Sequence, residues 1–93
     1  MDTNKLIPLL SDMAIFVTVV EQGNFSKTAK KLGVTPSAVS RQISRLEDAL
    51  GIKLLQRTTR QLALTESGKI TFDYCKQMVE SADQAVNASR SAT

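Results

Sequence analysis

The sequence lacks histidine and tryptophan, and it contains a single cysteine among its 93 residues. Without histidine there is no Ser-His or Cys-His nucleophile and no side chain that normally titrates near neutral pH, and the commonest metal ligand is missing. Cys75 has no second thiol with which to form an internal disulfide or a zinc site, which fits a reducing compartment. These absences argue against an enzyme and predict a cytoplasmic protein without a metal or cofactor.

We find no apolar run long enough to cross a membrane. We also find no export signal, because only Lys5 precedes a short, interrupted apolar stretch at the N-terminus. We therefore expect no membrane segment. With 42% hydrophobic and 23% charged residues, the composition is typical of one small globular domain. A chain of this length buries only about 60 to 65% of its unfolded surface, so we expect a partner chain to complete its core.

Positive charge is concentrated in the middle of the chain. Residues 25–62 contain eight lysines and arginines against two acidic residues, a net charge of +6, whereas the segments before and after carry −2 and −1. Such a basic block is the electrostatic footprint expected for a polyanionic partner. Aromatic residues do not alternate with the basic ones, which disfavours the stacking of single-stranded bases.

Apolar spacing predicts two helices in the first third of the chain. The first is predicted from about Leu9 to Gln22, with Ser11 or Asp12 as its N-cap. A second helix of at most two turns is predicted over residues 27–32, with Ser26 as its N-cap and a glycine at its end.

Thr35 and Pro36 predict the start of a third helix, because a hydroxyl can cap the first turn and proline costs nothing at its first position. One face of this helix is apolar, with residues at spacings of four, three and four: Val39, Ile43, Leu46 and Leu50. A two-turn helix, a three-residue turn and a helix with a polar, basic outer face predict a helix-turn-helix, whose second helix enters the DNA major groove.

After this unit the period changes, and residues 54–64 are predicted to form a two-stranded hairpin, or wing, with a basic tip. Thr65 is predicted to cap a long last helix that extends to about Ser89. This helix has two apolar rows. We assign the row at coiled-coil spacing to a second subunit, and it consists of Phe72, Cys75, Val79, Ala82 and Val86. The flanking row is expected to pack against the first helix, and it consists of Ile70, Tyr74 and Met78.

The predicted fold is mainly α. Residues 1–65 form a winged helix-turn-helix of three helices and a two-stranded wing, and residues 66–93 form a long linker and dimerisation helix with a frayed tail. Cys75 is expected to be a small buried hydrophobe and not a redox sensor. Arg45 has two candidate partners, a DNA phosphate or the neighbouring Asp48.

Four ordered segments resemble the DNA-binding domain of LysR-type transcriptional regulators: Phe25–Ala29, Ser37–Gly51, Leu54–Arg60 and Leu64–Gly68. The resemblance covers about residues 9–90. It implies a winged helix-turn-helix that dimerises through its linker helix. It also implies a C-terminal domain, outside this chain, through which a small-molecule effector would act.

Candidate DNA contacts follow from the exposed residue types and from the resemblance. Base reading is expected from the start of the third helix, at Pro36, Ser37, Ser40 and Arg41. Contacts to the backbone or the minor groove are expected from Ser26, Lys27, Lys31, Thr35, Ser44, Arg45, Arg57 and Arg60. Many members of the family have Gln where Pro36 stands and Pro where Ser37 stands, so we expect a different base preference. Phe is common where Leu55 stands, and we expect this difference to alter the packing but not the architecture.

Two other classes of partner stay open. A winged helix can act as a protein-interaction module that docks on an acidic partner, although an interface core would favour apolar anchors over serine and arginine. Double-stranded RNA or a single strand is the second alternative. An enzyme is the weakest hypothesis, because the sequence has no glycine-rich phosphate loop and no recognisable pair of catalytic carboxylates.

Overall fold

The computed structural model describes residues 1–57 and 62–92. Within these residues the chain forms helices α1 (Thr3–Gln22), α2 (Phe25–Leu32), α3 (Pro36–Leu50) and α4 (Glu66–Ser91). Strands β1 (Leu55–Arg57) and β2 (Leu62–Leu64) pair as an antiparallel hairpin, with Gln56 opposite Ala63. The mainly α fold with a two-stranded wing is therefore confirmed.

Side-chain caps set the start of α3 and α4 as predicted. Thr35 Oγ1 accepts a hydrogen bond from the amide of Ala38 at 3.1 Å. Thr65 Oγ1 accepts one from the amide of Gly68 at 2.9 Å. Both threonines have extended backbone angles, which is the usual conformation of an N-cap residue.

The N-caps predicted for α1 and α2 are wrong. Asp2 caps α1, so this helix begins at Thr3, about two turns earlier than expected, and it includes Pro8. Asn24 caps α2 by accepting a hydrogen bond from the amide of Lys27 at 2.7 Å, so Ser26 lies inside the first turn. The local sequence offers several good capping residues in each place, and the tertiary packing selects among them.

The core lies where α1, α2, α3 and the first half of α4 meet. The predicted apolar face of α3 is confirmed, because Val39, Ile43 and Leu46 are fully buried. Phe16 and Val19 of α1 are also fully buried beside it, and Leu54 closes the core from the segment before the wing. Burial of large apolar side chains of this kind is the main force that holds the helices together.

The assignment of the two apolar rows of α4 needs correction. Cys75 is only 3% exposed within the single chain, and Phe72 and Val79 pack on the same core. The Phe72 ring meets that of Phe16 edge to face, with centroids 6.3 Å apart. This row was expected to face a second subunit, but Phe72, Cys75 and Val79 belong to the chain's own core. Only Ala82 and Val86 of the row are exposed.

The other row of α4 is the exposed one. Ile70 and Tyr74, which were expected in the core, are 62% and 68% exposed, and Met78 is half-buried. Helical spacing reveals that two apolar rows exist, but it does not tell which row faces α1. The expectation that Cys75 is a small buried hydrophobe is confirmed, and burial raises the pKa of its thiol.

By length and composition alone, α1 is a helix that could cross a membrane, which the sequence analysis did not anticipate. The helix lies near the N-terminus and packs its apolar face into the core through Leu9, Phe16 and Val19. It also carries the buried charge of Asp12. We therefore interpret α1 as a core helix.

Candidate nucleic-acid interface

The turn between α2 and α3 fixes the entry of the presented helix. Gly33 adopts a positive φ of 71°, a left-handed conformation that costs glycine little. The amide of Val34 then donates to the carbonyl of Ala29 at 3.0 Å, which closes the end of α2 and directs the chain into α3. The predicted helix-turn-helix is therefore present.

The residues expected to read bases lie together on the first two turns of α3. Pro36, Ser37 and Arg41 are exposed, and Ser40 is half-buried beside them. The fully buried Val39 lies on the other side of the same turns, so the polar face and the core face of the helix are cleanly separated. The structure thus brings the four candidates to one surface.

Arg57 joins the wing to this surface. Its guanidinium carbon lies 4.9 Å from the centroid of the Phe25 ring, at the start of α2. Its Nη1 donates a hydrogen bond to Ser40 Oγ at 2.9 Å. Arg57 and Ser40 were expected to make separate contacts, and the supporting role of Phe25 was not predictable, because no local pattern reveals a contact across 32 residues.

Arg45 is tied to α1 and not to Asp48. Its Nε donates to Asp12 Oδ2 at 2.9 Å and its Nη2 to Oδ1 at 2.7 Å, which is the bidentate geometry that suits a carboxylate. Asp12 is fully buried, whereas the Arg45 side chain is 62% exposed. The hydrogen bond to Asp12 and the negative charge of this carboxylate raise the pKa of Arg45. The pair therefore anchors α3 on α1 beneath the exposed face.

Glu47 is a functional support that the sequence analysis missed. This buried carboxylate accepts hydrogen bonds at Oε2 from the amides of Leu54 and Leu55, at 2.8 and 3.2 Å. Lys53 Nζ lies 3.8 Å from Oε1. Glu47 thereby joins the C-terminal half of α3 to the first residues of the wing, and the wing is held at a fixed place beside α3.

The start of α4 packs closely on the same segment. Thr65 Oγ1 donates to the carbonyl of Lys53 at 2.7 Å while it caps α4. Gly68 lies so close to the chain that a Cβ there would come within 2.0 Å of the carbonyl oxygen of Leu54. Only glycine fits this approach, and the wing is consequently held between α3 and α4.

The remaining predicted backbone contacts are spread around α3. Ser26, Lys27 and Lys31 are exposed on α2, and Thr35 is exposed at the cap of α3. Ser44 is half-buried and lines the groove between α3 and the wing, together with Gln56 and Arg57. Arg60 and the predicted basic tip of the wing lie outside the described residues.

These features define the class of protein. A short helix, a tight turn, a second helix with an exposed polar and basic face, and a hairpin fixed beside that helix together form a winged helix-turn-helix. Residues 10–69 match the family of bacterial regulatory helix-turn-helix proteins of the lysR type. The chain belongs to this lysR family.

Relatives and solved structures agree with this assignment. The chain is 52% identical over 83 residues to the probable HTH-type transcriptional regulator LtrA of Klebsiella pneumoniae, which covers 89% of this chain and 27% of that protein. It is similar to the BenM DNA-binding domain in complex with catB site 1 DNA, with a TM-score of 0.84 and 36% identity over 89% of this chain and 93% of that one. It is also similar to the CbnR DNA-binding domain in complex with DNA, with a TM-score of 0.79 and 32% identity over 89% and 95% of the two chains.

The coverage of these matches shows how the length of the chain compares with the lengths of its relatives. It spans about a quarter of the length of the curated relative, 27%, but nearly all of each isolated DNA-binding domain. The resemblance to LysR-type regulators and the winged helix-turn-helix fold are thus both confirmed.

Proposed function

We propose that this chain binds double-stranded DNA in a sequence-specific manner, as the DNA-binding domain of a dimeric bacterial LysR-type transcriptional regulator. Helix α3 lies in the major groove, and the wing at 54–64 lies at the adjacent minor groove or the backbone. The observation that carries the proposal is the exposed polar face of α3, with Ser37 and Arg41 at its start and Arg57 of the wing beside it. The DNA complexes of similar domains support the same choice.

The residue types on α3 suit the chemistry of base edges. The guanidinium fork of Arg41 matches the two acceptors that guanine presents in the major groove. Serines at 37, 40 and 44 keep this face of the helix low enough to approach the bases. Lys27 and Lys31 on α2 are exposed at the flank and neutralise phosphates there.

Arg45 contributes to DNA binding mainly by holding α3 in place. Two of its N–H groups are engaged by Asp12, so it fixes the angle of α3 before any DNA binds. The exposed remainder of its guanidinium is then available to a phosphate. A regulator that acts on DNA in a bacterium works in the cytoplasm, and we include this location in the proposal.

We further propose that two copies dimerise through α4. Residues 80–91 of α4 are all exposed, and Val86 among them is 48% exposed. Ala82 and Val86 continue the predicted row beyond the point where it leaves the core. In this arrangement residues 1–65 read the DNA and residues 66–93 join the copies. The effector of the full-length regulator binds its C-terminal domain, beyond this chain.

Duplex selection tests the proposal directly. The chain is incubated with a random pool of duplex DNA, and bound duplexes are sequenced. We expect an enriched motif in two half-sites related by a two-fold axis, since a symmetric dimer presents two copies of α3. Enrichment of no motif would contradict the proposal.

A competition experiment separates the alternatives. Duplex DNA, duplex RNA and single strands of equal length compete at one salt concentration, and we expect duplex DNA to win. The logarithm of the affinity should fall with the logarithm of the salt concentration by about 0.9 for each neutralised phosphate. Preferential binding of duplex RNA or of a single strand would favour that class of partner instead.

A further inference from the structure

Arg57 lies in the wing, yet its side chain reaches across to both helices of the helix-turn-helix. The guanidinium stacks over Phe25 of α2 at 4.9 Å, and Nη1 donates to Ser40 Oγ of α3 at 2.9 Å. One side chain therefore connects β1, α2 and α3. A guanidinium that lies over an aromatic face and is bonded at one edge favours this orientation before DNA arrives.

This contact determines what the Ser40 hydroxyl can do. A serine hydroxyl has one O–H donor and two acceptor lone pairs, whereas a guanidinium can only donate. Ser40 Oγ is consequently the acceptor toward Arg57, and its own proton points elsewhere. Among residues 1–57 and 62–92, no protein group accepts that proton, so no described residue competes with an outside partner for this O–H.

We infer that Arg57 and Phe25 are positioning residues for base reading, which rests on the function proposed above. They hold Ser40 as a hydrogen-bond donor toward the major groove. A donor there favours the acceptors of base edges, which are guanine O6 and N7, adenine N7 and thymine O4. The amino groups of cytosine and adenine are disfavoured, because they could use only the one lone pair that Arg57 leaves on Ser40 Oγ. Base preference at one position thus depends on a wing residue that does not itself touch the base.

The rival role for Arg57 is a contact with a phosphate, which carries no sequence information. Arg57→Lys separates the two roles, because lysine keeps the positive charge but has neither the planar face nor the fork of a guanidinium. Phe25→Leu removes the aromatic face and keeps an apolar side chain. Ser40→Ala removes the donor itself, and Lys31→Ala removes an exposed charge that has no contact with Ser40.

Each variant is taken through the same duplex selection, and its base frequencies are compared with those of the wild type. We expect Ser40→Ala, Arg57→Lys and Phe25→Leu to relax the preference at one and the same base pair by roughly five-fold, the worth of one hydrogen bond. The double variant of Ser40→Ala with Arg57→Lys should relax it no further. Lys31→Ala should weaken binding to all duplexes and leave the preferences unchanged.

The outcome that overturns the inference is an Arg57→Lys variant with unchanged preference at the position that Ser40→Ala alters. If the wild type selects no motif at all, the proposed function fails as well, so the two failures are distinguishable.

Nuclear magnetic resonance of the free protein provides a second readout. The δ protons of Arg57 should be shifted upfield by the Phe25 ring, and this shift should vanish in Phe25→Leu. Equal shifts in the two proteins would also overturn the inference.

Discussion

Replacement of Glu47 tests how the wing is fixed to α3. Both hydrogen bonds from the wing, donated by the amides of Leu54 and Leu55, go to the same oxygen, Oε2. Glu47→Gln preserves one side-chain carbonyl oxygen that can accept both. Glu47→Ala removes the acceptor altogether and leaves two buried amides without a partner, since Leu54 and Leu55 are themselves buried.

The expected magnitudes follow from this geometry. An unsatisfied buried amide costs about 1 to 3 kcal/mol, so two of them lower the free energy of unfolding by about 2 to 6 kcal/mol in Glu47→Ala. Glu47→Gln should lose only about 1 kcal/mol, the difference between a charged and a neutral acceptor. Since a domain of this size has a free energy of unfolding of about 5 to 14 kcal/mol, the alanine variant removes a large share of it.

Urea unfolding followed by far-ultraviolet circular dichroism measures these differences. The matched control is Asp48→Asn, which removes one carboxylate at the exposed next position and should change the free energy of unfolding by less than about 0.5 kcal/mol. If Glu47→Gln is as destabilised as Glu47→Ala, the shared acceptor oxygen is not what holds the wing, and the reasoning is refuted.

Three further predictions concern α4. Gly68→Ala should destabilise the fold by about 3 kcal/mol in urea unfolding, because its Cβ would meet the Leu54 carbonyl. The control Gln77→Ala, on the exposed face of α4, should have little effect. Equal stability of the two variants would contradict the close approach of Gly68 to Leu54. Burial raises the pKa of the Cys75 thiol, so the folded protein holds this proton more tightly than the unfolded chain does. The resulting stability is present below the pKa of the unfolded thiol and is lost as pH rises through the folded pKa. Cys75→Ala should therefore reduce the decline of the thermal midpoint above about pH 8.5. An identical decline in both proteins would exclude this cause. Val86→Asp should lower the mass measured by sedimentation toward that of a monomer without changing the helical signal, and an unchanged dimer would exclude Val86 from the interface.

The sequence predicted what is encoded locally. Thr35 and Thr65 were identified as caps because a hydroxyl three residues before its amide partner is a local pattern. The buried face of α3 was likewise legible from its spacing. Helix starts were wrong where several capping residues compete within a few positions, as at Asn24 and Ser26.

Contacts between distant parts of the chain were not predictable in this way. The bond between Arg45 and Asp12 spans 33 residues, and the sequence suggested only a DNA phosphate or the nearer Asp48 as partners of Arg45. The acceptor role of Glu47 depends on where the wing starts, which no periodicity reveals. For α4, two apolar rows of similar quality were visible, and only the packing of Phe72 on Phe16 decides which row is buried.

Chemical probing of guanine N7 tests the central claim, that the exposed face of α3 occupies the major groove, most directly. This atom lies in the major groove, and dimethyl sulfate methylates it when it is accessible. With the chain at saturating concentration on a selected duplex, the account predicts protection of guanine N7 within each half-site, and loss of part of that protection in Arg41→Ala. Unchanged methylation of every guanine in a fully bound duplex would contradict it.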